Sequence, residues 1–299
     1  MERKKFNWRQ QRTNGEIAFD WFNVTLMAVI CFITLYPIWY IIVNSLNEGA
    51  DAMLGGIFWW PRKFTLDNYT AVFQNSGVIK AFGVTILRTV VGTVTNVLFT
   101  AMVAYPLSKD HLVGRKFYMA MGTVTMFFSG GLIPSFLLYK NMQLLDTFWV
   151  YIIPGLFNFF NLIIFVNFFR EIPGALEESA SIDGATDWTI FTRIILPLSK
   201  PVLATIALFT GVYHWNDYFA GVIFINNPNL QPIQTFLYRI VAETGSTQMM
   251  ATAGNITRTT TSLSIKLATM VVTTLPIVCV YPFLQKYFVK GMMIGAVKE

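Results

Sequence analysis

The chain has 299 residues, of which 54% are hydrophobic and 13% charged, and it carries a formal net charge of +6. A soluble domain normally carries about 25% charged residues, so the deficit excludes an ordinary water-soluble fold and points into a bilayer. The positive balance does not make a nucleic-acid surface, because the basic residues sit at the ends of apolar runs rather than among aromatics on one polar face.

Residues 1–20 are basic and polar. The apolar run behind them ends in Tyr36-Pro37-Ile38-Trp39-Tyr40 without a small-residue cleavage site, so a retained first membrane helix is expected. A membrane-spanning helix needs about 20 mainly apolar residues. Six stretches qualify, over residues 21–43, 85–107, 117–139, 148–169, 202–225 and 267–288, with Lys80 and Arg88 flanking the start of the second. The expected fold is all-α and integral to the membrane, with six transmembrane helices in one domain over 21–289 between tails at 1–20 and 290–299.

Lys and Arg in the loops set the orientation. Arg3, Lys4, Lys5, Arg9 and Arg12 precede the first stretch, and Lys109, Arg115 and Lys116 follow the second. Arg170, Arg193 and Lys200 follow the fourth, and Lys286, Lys290 and Lys298 lie at the end. All of these fall on one side if six helices alternate, so both termini are expected in the cytoplasm. On the other side, 44–84 holds Trp59-Trp60-Pro61 and Asn68-Tyr69, the makings of an interfacial elbow. The loop 226–266 opens with the turn signal Asn227-Pro228-Asn229 and carries a Thr-rich patch; it either contacts a partner or caps the bundle. Pro37, Gly130-Gly131 with Pro134, Pro154-Gly155, and Pro276 with Pro282 interrupt the apolar runs, either for shape alone or as hinges around a path.

Chemistry-bearing clusters are few. Cys31 and Cys279 each sit in an apolar run and read as small buried hydrophobes, and His111 and His214 are too far apart to suggest zinc. No metal site and no catalytic residue is expected, and no GxxxxGK[ST] segment is present to cradle a nucleotide.

The longest polar interval with helical character is 170–201, on the cytoplasmic side. Pro173 suits the first turn of a short helix, and Glu177 and Glu178 favour its dipole. Leu176, Ala180 and Asp183 share a face with Ser179 beside them, and Gly184 supplies the conformation that ends such a helix. Thr186 or Asp187 can cap a second helix with Trp188, Phe191 and Ile195 on one face; Leu196-Pro197 stops it and Pro201 opens the next span. Small Ser179, Ala180, Ser181, Gly184 and Ala185 let another protein approach the backbone closely. An interfacial hairpin on lipid fits less well, because the first helix is acidic and poor in large apolar residues.

The run Glu178-Ser179-Ala180-Ser181-Ile182-Asp183-Gly184-Ala185, followed by Phe191, Ile194, Leu196-Pro197 and Pro201, resembles the EAA loop of bacterial ABC-importer permeases, with Ser179 in place of an Ala. Trp215-Asn216-Asp217-Tyr218 resembles the WND[FY] element of maltose-type carbohydrate permeases, and the ending from Lys290-Gly291 to Gly295-Ala296-Val297-Lys298 is similar to that family's C-terminus. Phe128-Ser129-Gly130-Gly131-Leu132-Ile133-Pro134 looks like a subgroup importing oligosaccharides from plant or algal polysaccharides. The resemblance covers about 85–299.

The resemblance implies a type I ABC-importer permease fold in the bacterial cytoplasmic membrane, without catalytic residues. It implies a second, homologous permease, two ATPase subunits that bind ATP and Mg, an extracytoplasmic sugar-binding protein and a carbohydrate substrate. It also makes 170–201 the element that sits in a cleft of the ATPase. Glu178 would then make the polar contact, Ala180 and Ala185 would allow close packing, Gly184 would turn the chain, Asp183 would stabilise the loop locally, and Gly295 to Glu299 would also touch the ATPase.

For the sugar path, Asn216 lies about 24 Å along the fifth helix at 1.5 Å per residue, which puts Trp215-Asn216-Asp217-Tyr218 toward the outer interface. The motif either lines the path or anchors an aromatic belt with Asp217 paired to a neighbour. Asn158 and Asn161 on the fourth stretch share a face and either line the path or bond a neighbouring helix, the latter being preferred here. Rival readings are a permease for a non-sugar solute, an ion-coupled secondary transporter and a membrane-embedded enzyme. The last two leave 170–201 unexplained, and the third, fourth and sixth stretches have no acid in their interiors.

Overall fold

The computed structural model describes residues 13–242 and 261–296, with side chains to residue 280. The basic N-terminal residues 1–12, most of the Thr-rich patch, the C-terminal tail 297–299 and the side chains of Lys286 and Lys290 lie outside the described residues. The described chain is helical; its one strand-like feature is an isolated antiparallel bridge between Asn47 and Phe64. It divides into two compact units, one from residues up to Ala71 with 255–271 and the other from Val72–Gly254 and residues from 272 onward.

In the first unit, α1 (Asn14–Ser45) starts before the expected position 21 because Thr13 and Glu16 form a capping box. Its flanks are exposed, as suits a helix whose solvent is lipid, and Cys31 is exposed with them. Cys279 is exposed too, so neither cysteine is the buried hydrophobe expected: in a membrane, an apolar run faces outward as readily as inward. The elbow folds back onto α1. Trp39 Nε1 donates to the Trp59 carbonyl at 3.0 Å, and Asn44 Nδ2 to that of Ile57 at 3.2 Å. Around the short helix α2 (Gly49–Met53), Asn68 Nδ2 donates to the carbonyls of Ser45 and Asn47, and Ser45 and the Tyr69 hydroxyl lie 2.6 Å apart. Asn68 belongs to α3 (Asp67–Gln74).

The second unit is organised on α4 (Ser76–Ser108), which starts at an Asn75 cap rather than at 85. Arg88 therefore lies inside the helix and is buried, not in a flank. Buried Thr85, Arg88, Asn96 and Thr100, with Gly92 among them, recur at helical spacing, while Ile86, Leu87, Val90, Val94 and Leu98 face outward. The polar stripe points into the protein and the apolar one outward.

Three expected spans are broken. The third is α5 (Arg115–Phe127) and α6 (Leu132–Asn141), bent by 114° at Phe128 to Gly131, where Gly131 has φ +85°. The fourth becomes helical only over α7 (Phe159–Glu171), after a 3-10 turn at Phe148–Tyr151 and the Pro154-Gly155 bend. The fifth is α10 (Lys200–Asn216) and α11 (Phe219–Phe224), broken at Asp217-Tyr218. Between α7 and α10 come α8 (Ala175–Ile182) and α9 (Asp187–Leu198), which contains a π turn over Phe191–Ile195. Beyond these lie α12 (Ile233–Ala242) and α13 (Ser262–Ala296), which contains the expected sixth stretch. By length and composition three helices can cross a membrane, or up to six if the bent pairs α5 with α6, α7 with α8 and α9 with α10 each count as one span.

The core lies where α4 packs on α7 and α10, around Ala101, Ala104, Leu162, Phe165, Ile195 and Ile206. Two glycines allow close approaches: a Cβ on Gly92 of α4 would meet the His214 ring of α10 at 2.3 Å, and one on Gly122 of α5 the Phe159 ring of α7 at 1.8 Å.

Candidate functional site

Two groups of side chains stand out in the second unit. The first is the polar interval between α7 and α10. Here Glu177 and Glu178 lie in the first turn of α8, after Pro173 rather than with it, since the helix begins at Ala175. The helix ends in a Schellman motif: Gly184 N–H donates to Ser181 O at 3.0 Å and Ala185 N–H to Ala180 O at 2.9 Å, with Gly184 at φ +81°. Thr186 caps α9 by accepting from Thr189 N–H at 3.4 Å. The chain passes Leu196-Pro197 to Leu198 before bending by 79° into α10, with Pro201 in its first turn.

Glu178, Ser179, Asp183 and Gly184 are exposed, and Ala180 and Ala185 are half-buried. Ile182 is 85% exposed and Trp188 62%, so the loop shows an apolar rim around small residues. Glu178 makes no ion pair among the described residues. Asp183 closes α8 through its backbone, donating to Ser179 O at 3.1 Å.

Sequence reading gave Glu177 only a place at the helix dipole and missed its contacts. Its carboxylate pairs with Lys109 and accepts from the Tyr105 hydroxyl at 3.2 Å, both at the end of α4. The adjacent cavity, about 980 Å³, is lined by Tyr105, Lys109, Glu177, Glu178, Asp187 and Trp188. An acid beside the motif and a Lys just past an apolar run were visible signals; nothing local said that they meet.

The second group is the polar seam of α4 against α7 and α10. Asn96 Nδ2 donates to Gly155 O at 2.8 Å, and Asn96 Oδ1 accepts from Thr210 at 3.1 Å and from Asn161 Nδ2 at 3.4 Å. Asn161 thus makes the interhelical bonds expected of it, whereas Asn158 caps α7, its Oδ1 accepting from Asn161 N–H at 3.2 Å. Both line a cavity of about 500 Å³ with Asn96, Thr210, Tyr213 and His214. Among the described residues the buried His214 Nδ1 has no hydrogen-bond partner, and neither do the Thr89 and Thr93 hydroxyls. Of these, only His214 borders the cavity; Thr89 and Thr93 pack toward Gly211 of α10.

Arg88 is 1% exposed. Its Nη2 donates to Asp217 Oδ2 at 2.7 Å and its Nη1 to Asp217 O at 3.1 Å, while its guanidinium lies 4.4 Å from the Tyr151 ring centre. Asp217 Oδ1 also caps α11 by accepting from Phe219 N–H at 2.9 Å. The structure thus pairs Asp217 with a neighbour. Trp215 Nε1 donates to Thr273 O at 3.3 Å, Tyr218 stacks on Tyr238 at 4.8 Å, and exposed Asn216 bonds back to Val212 O at 3.0 Å. Among the described residues no cluster of His, Cys, Asp and Glu could hold a metal ion.

An all-helical membrane chain with buried polar seams and a hinged, exposed polar loop defines a membrane transport subunit. Residues 97–294 match the family of binding-protein-dependent transport system inner membrane components, and the chain belongs to that family. It is similar to Protein LplC of Bacillus subtilis strain 168, at 44% identity over 96% of this chain and 97% of that one. It is similar also to the polygalacturonan/rhamnogalacturonan transport system permease protein YtcP of the same strain, at 38% identity over 94% and 98%. Among solved structures it matches a bacterial ABC transporter involved in the import of the acidic polysaccharide alginate, with 32% identity and TM-score 0.86 over 93% of this chain and 99% of that one.

Proposed function

We propose that this chain is a non-catalytic permease subunit of an ATP-driven importer and that its cargo is carbohydrate, an oligosaccharide. The carrying observation is the exposed, Schellman-closed turn at Gly184, small-faced and flanked by Glu178, on a loop joined to α4. The names of YtcP and of the alginate importer support the cargo class. The cavity around Asn158, Asn161, Thr210, Tyr213 and His214 offers the amides, hydroxyls and aromatic faces that sugars need, and includes no acid.

In this reading the protein crosses the bacterial cytoplasmic membrane six times with both termini inside. A second permease completes the path, two ATPase subunits hold ATP and Mg, and an extracytoplasmic binding protein delivers the sugar. Glu178, Ser179, Ala180, Asp183, Gly184 and Ala185 receive the ATPase; Asn216 and Asn158 face the path, with Trp215, Asp217 and Tyr218 shaping its outer end.

Co-expression with candidate ATPase and permease chains, followed by purification in detergent, tests the assembly. ATP hydrolysis stimulated by a binding protein loaded with an oligosaccharide supports the reading. Stimulation by a non-sugar solute instead would remove the carbohydrate.

A further inference from the structure

The C-terminal end of α4 grips both sides of the bend where α7 turns into α8. The axes of those helices differ by 74° across Ile172 to Gly174. Two adjacent residues of opposite charge follow α4. Lys109 pairs with Glu177 on α8, and Asp110 Oδ1 accepts from Arg170 Nη2 at 3.1 Å at the end of α7.

The first of these contacts is reinforced. The Tyr105 hydroxyl donates to the same Glu177 oxygen at 3.2 Å, and the Lys109 ammonium lies 4.5 Å from the Tyr105 ring centre. The ring of Tyr105 meets Phe191 of α9 at 5.3 Å, which in turn meets Trp188 at 5.7 Å. Lys109 and Glu177 are about one-fifth exposed, so their attraction is only partly screened. The Asp110 pair is open to solvent and contributes little energy by itself, but it fixes the other arm of the bend.

We propose that Lys109, Tyr105 and Glu177 form a positioning clamp that passes movement of the polar loop to α4, with Asp110–Arg170 as its second pin. This rests on the reading of the loop as the ATPase-docking element. Without the clamp, Ile172, Ala180 and Ala185 still pack on the core shared by α4 and α7, but no ion pair among the described residues then ties α8 to the end of α4, and the bend at Ile172 to Gly174 absorbs more of the displacement.

Nitroxide labels at exposed Ala175 and Val113, in the full complex with its partner subunits in lipid nanodiscs, read the separation of α8 from the end of α4. The probe is MgATP with vanadate. In the unaltered clamp the two sites keep one narrow distance before and after trapping. Glu177→Ala or Lys109→Glu replaces it with a broad distribution on trapping, and the double exchange Lys109→Glu with Glu177→Lys restores it.

An unchanged distribution in the single variants overturns the clamp, as does an exchange that does no better than they do. If the single variants do not assemble, the exchange decides alone: recovered assembly with the narrow distance supports the clamp, and failure overturns it. Absence of nucleotide trapping with the unaltered clamp is a separate outcome, and it removes the ATPase-docking reading itself.

Discussion

Gly184 sits at φ +81°, and a Cβ added there would meet nothing within 4 Å. Any cost of replacing it is therefore conformational, about 1–2 kcal/mol for an ordinary residue held left-handed. Gly184→Val is expected to stay in the membrane fraction while ATP-driven uptake falls, and Gly184→Asn, which tolerates this conformation, is expected to keep most of it; equal uptake by both variants and the parent would refute the role.

A second residue-scale prediction concerns the elbow. The Asn47 amide bonded to Asp51, with Arg62 beside it, holds that carboxyl below its ordinary value of 3.8. A depressed carboxylate contributes order that is present above its ordinary range and lost as pH falls through the lowered value. Hydrogen exchange of the 47–63 amides should stay slow at neutral pH and quicken only in strong acid. Asn47→Ala should move that quickening to higher pH.

At the scale of elements, the break between α10 and α11 is held from α4 by Arg88. Removing one partner of a buried pair costs about 3–5 kcal/mol. Arg88→Met is expected to lower the thermal midpoint in detergent markedly. Asp217→Asn added to it should recover part of the loss, since the side-chain amide oxygen would still accept from the α11 backbone N–H groups. A double variant no more stable than Arg88→Met alone would count against the pair. This contact was not legible in the sequence, because Arg88 and Asp217 lie far apart in the chain and Arg88 reads as a flank of an apolar run.

The polar loop was legible nearly residue by residue. Its signals are the short-range ones that soluble proteins use: acids in a first turn, Gly184 at a helix end and Thr186 at a helix start. The broken spans were legible only as punctuation. Gly130-Gly131 and Pro154-Gly155 mark two of the breaks, whereas Asp217 read as a residue inside the fifth helix; hydropathy averages over all three and returns a continuous run. The π turn at Phe191–Ile195 left no such mark.

For the whole molecule, the breaks bear on how the chain crosses the bilayer. The 13 residues of α7 span only about 20 Å at 1.5 Å per residue, short of the roughly 30 Å hydrocarbon core. In the proposed six-span topology the segment before it, 152–158, completes the crossing with irregular backbone, which a bilayer tolerates only where protein or water satisfies its polar groups. Part of that demand is met: Asn96 donates to Gly155 O, Gly155 N–H to Ile152 O at 3.1 Å and Leu156 N–H to Ile153 O at 3.3 Å. The proposed six-span topology would therefore depend on the α4 seam as well as on hydropathy. Fluorescent-protein fusions at both termini should glow in cells, while alkaline-phosphatase fusions after Asn47 and Asn229 should be active. Asn96→Leu should leave Gly155 O unsatisfied and reduce folded protein in the membrane. A fluorescent N-terminus with an inactive Asn229 fusion would mean that the bent α7 segment does not cross, leaving fewer than six spans.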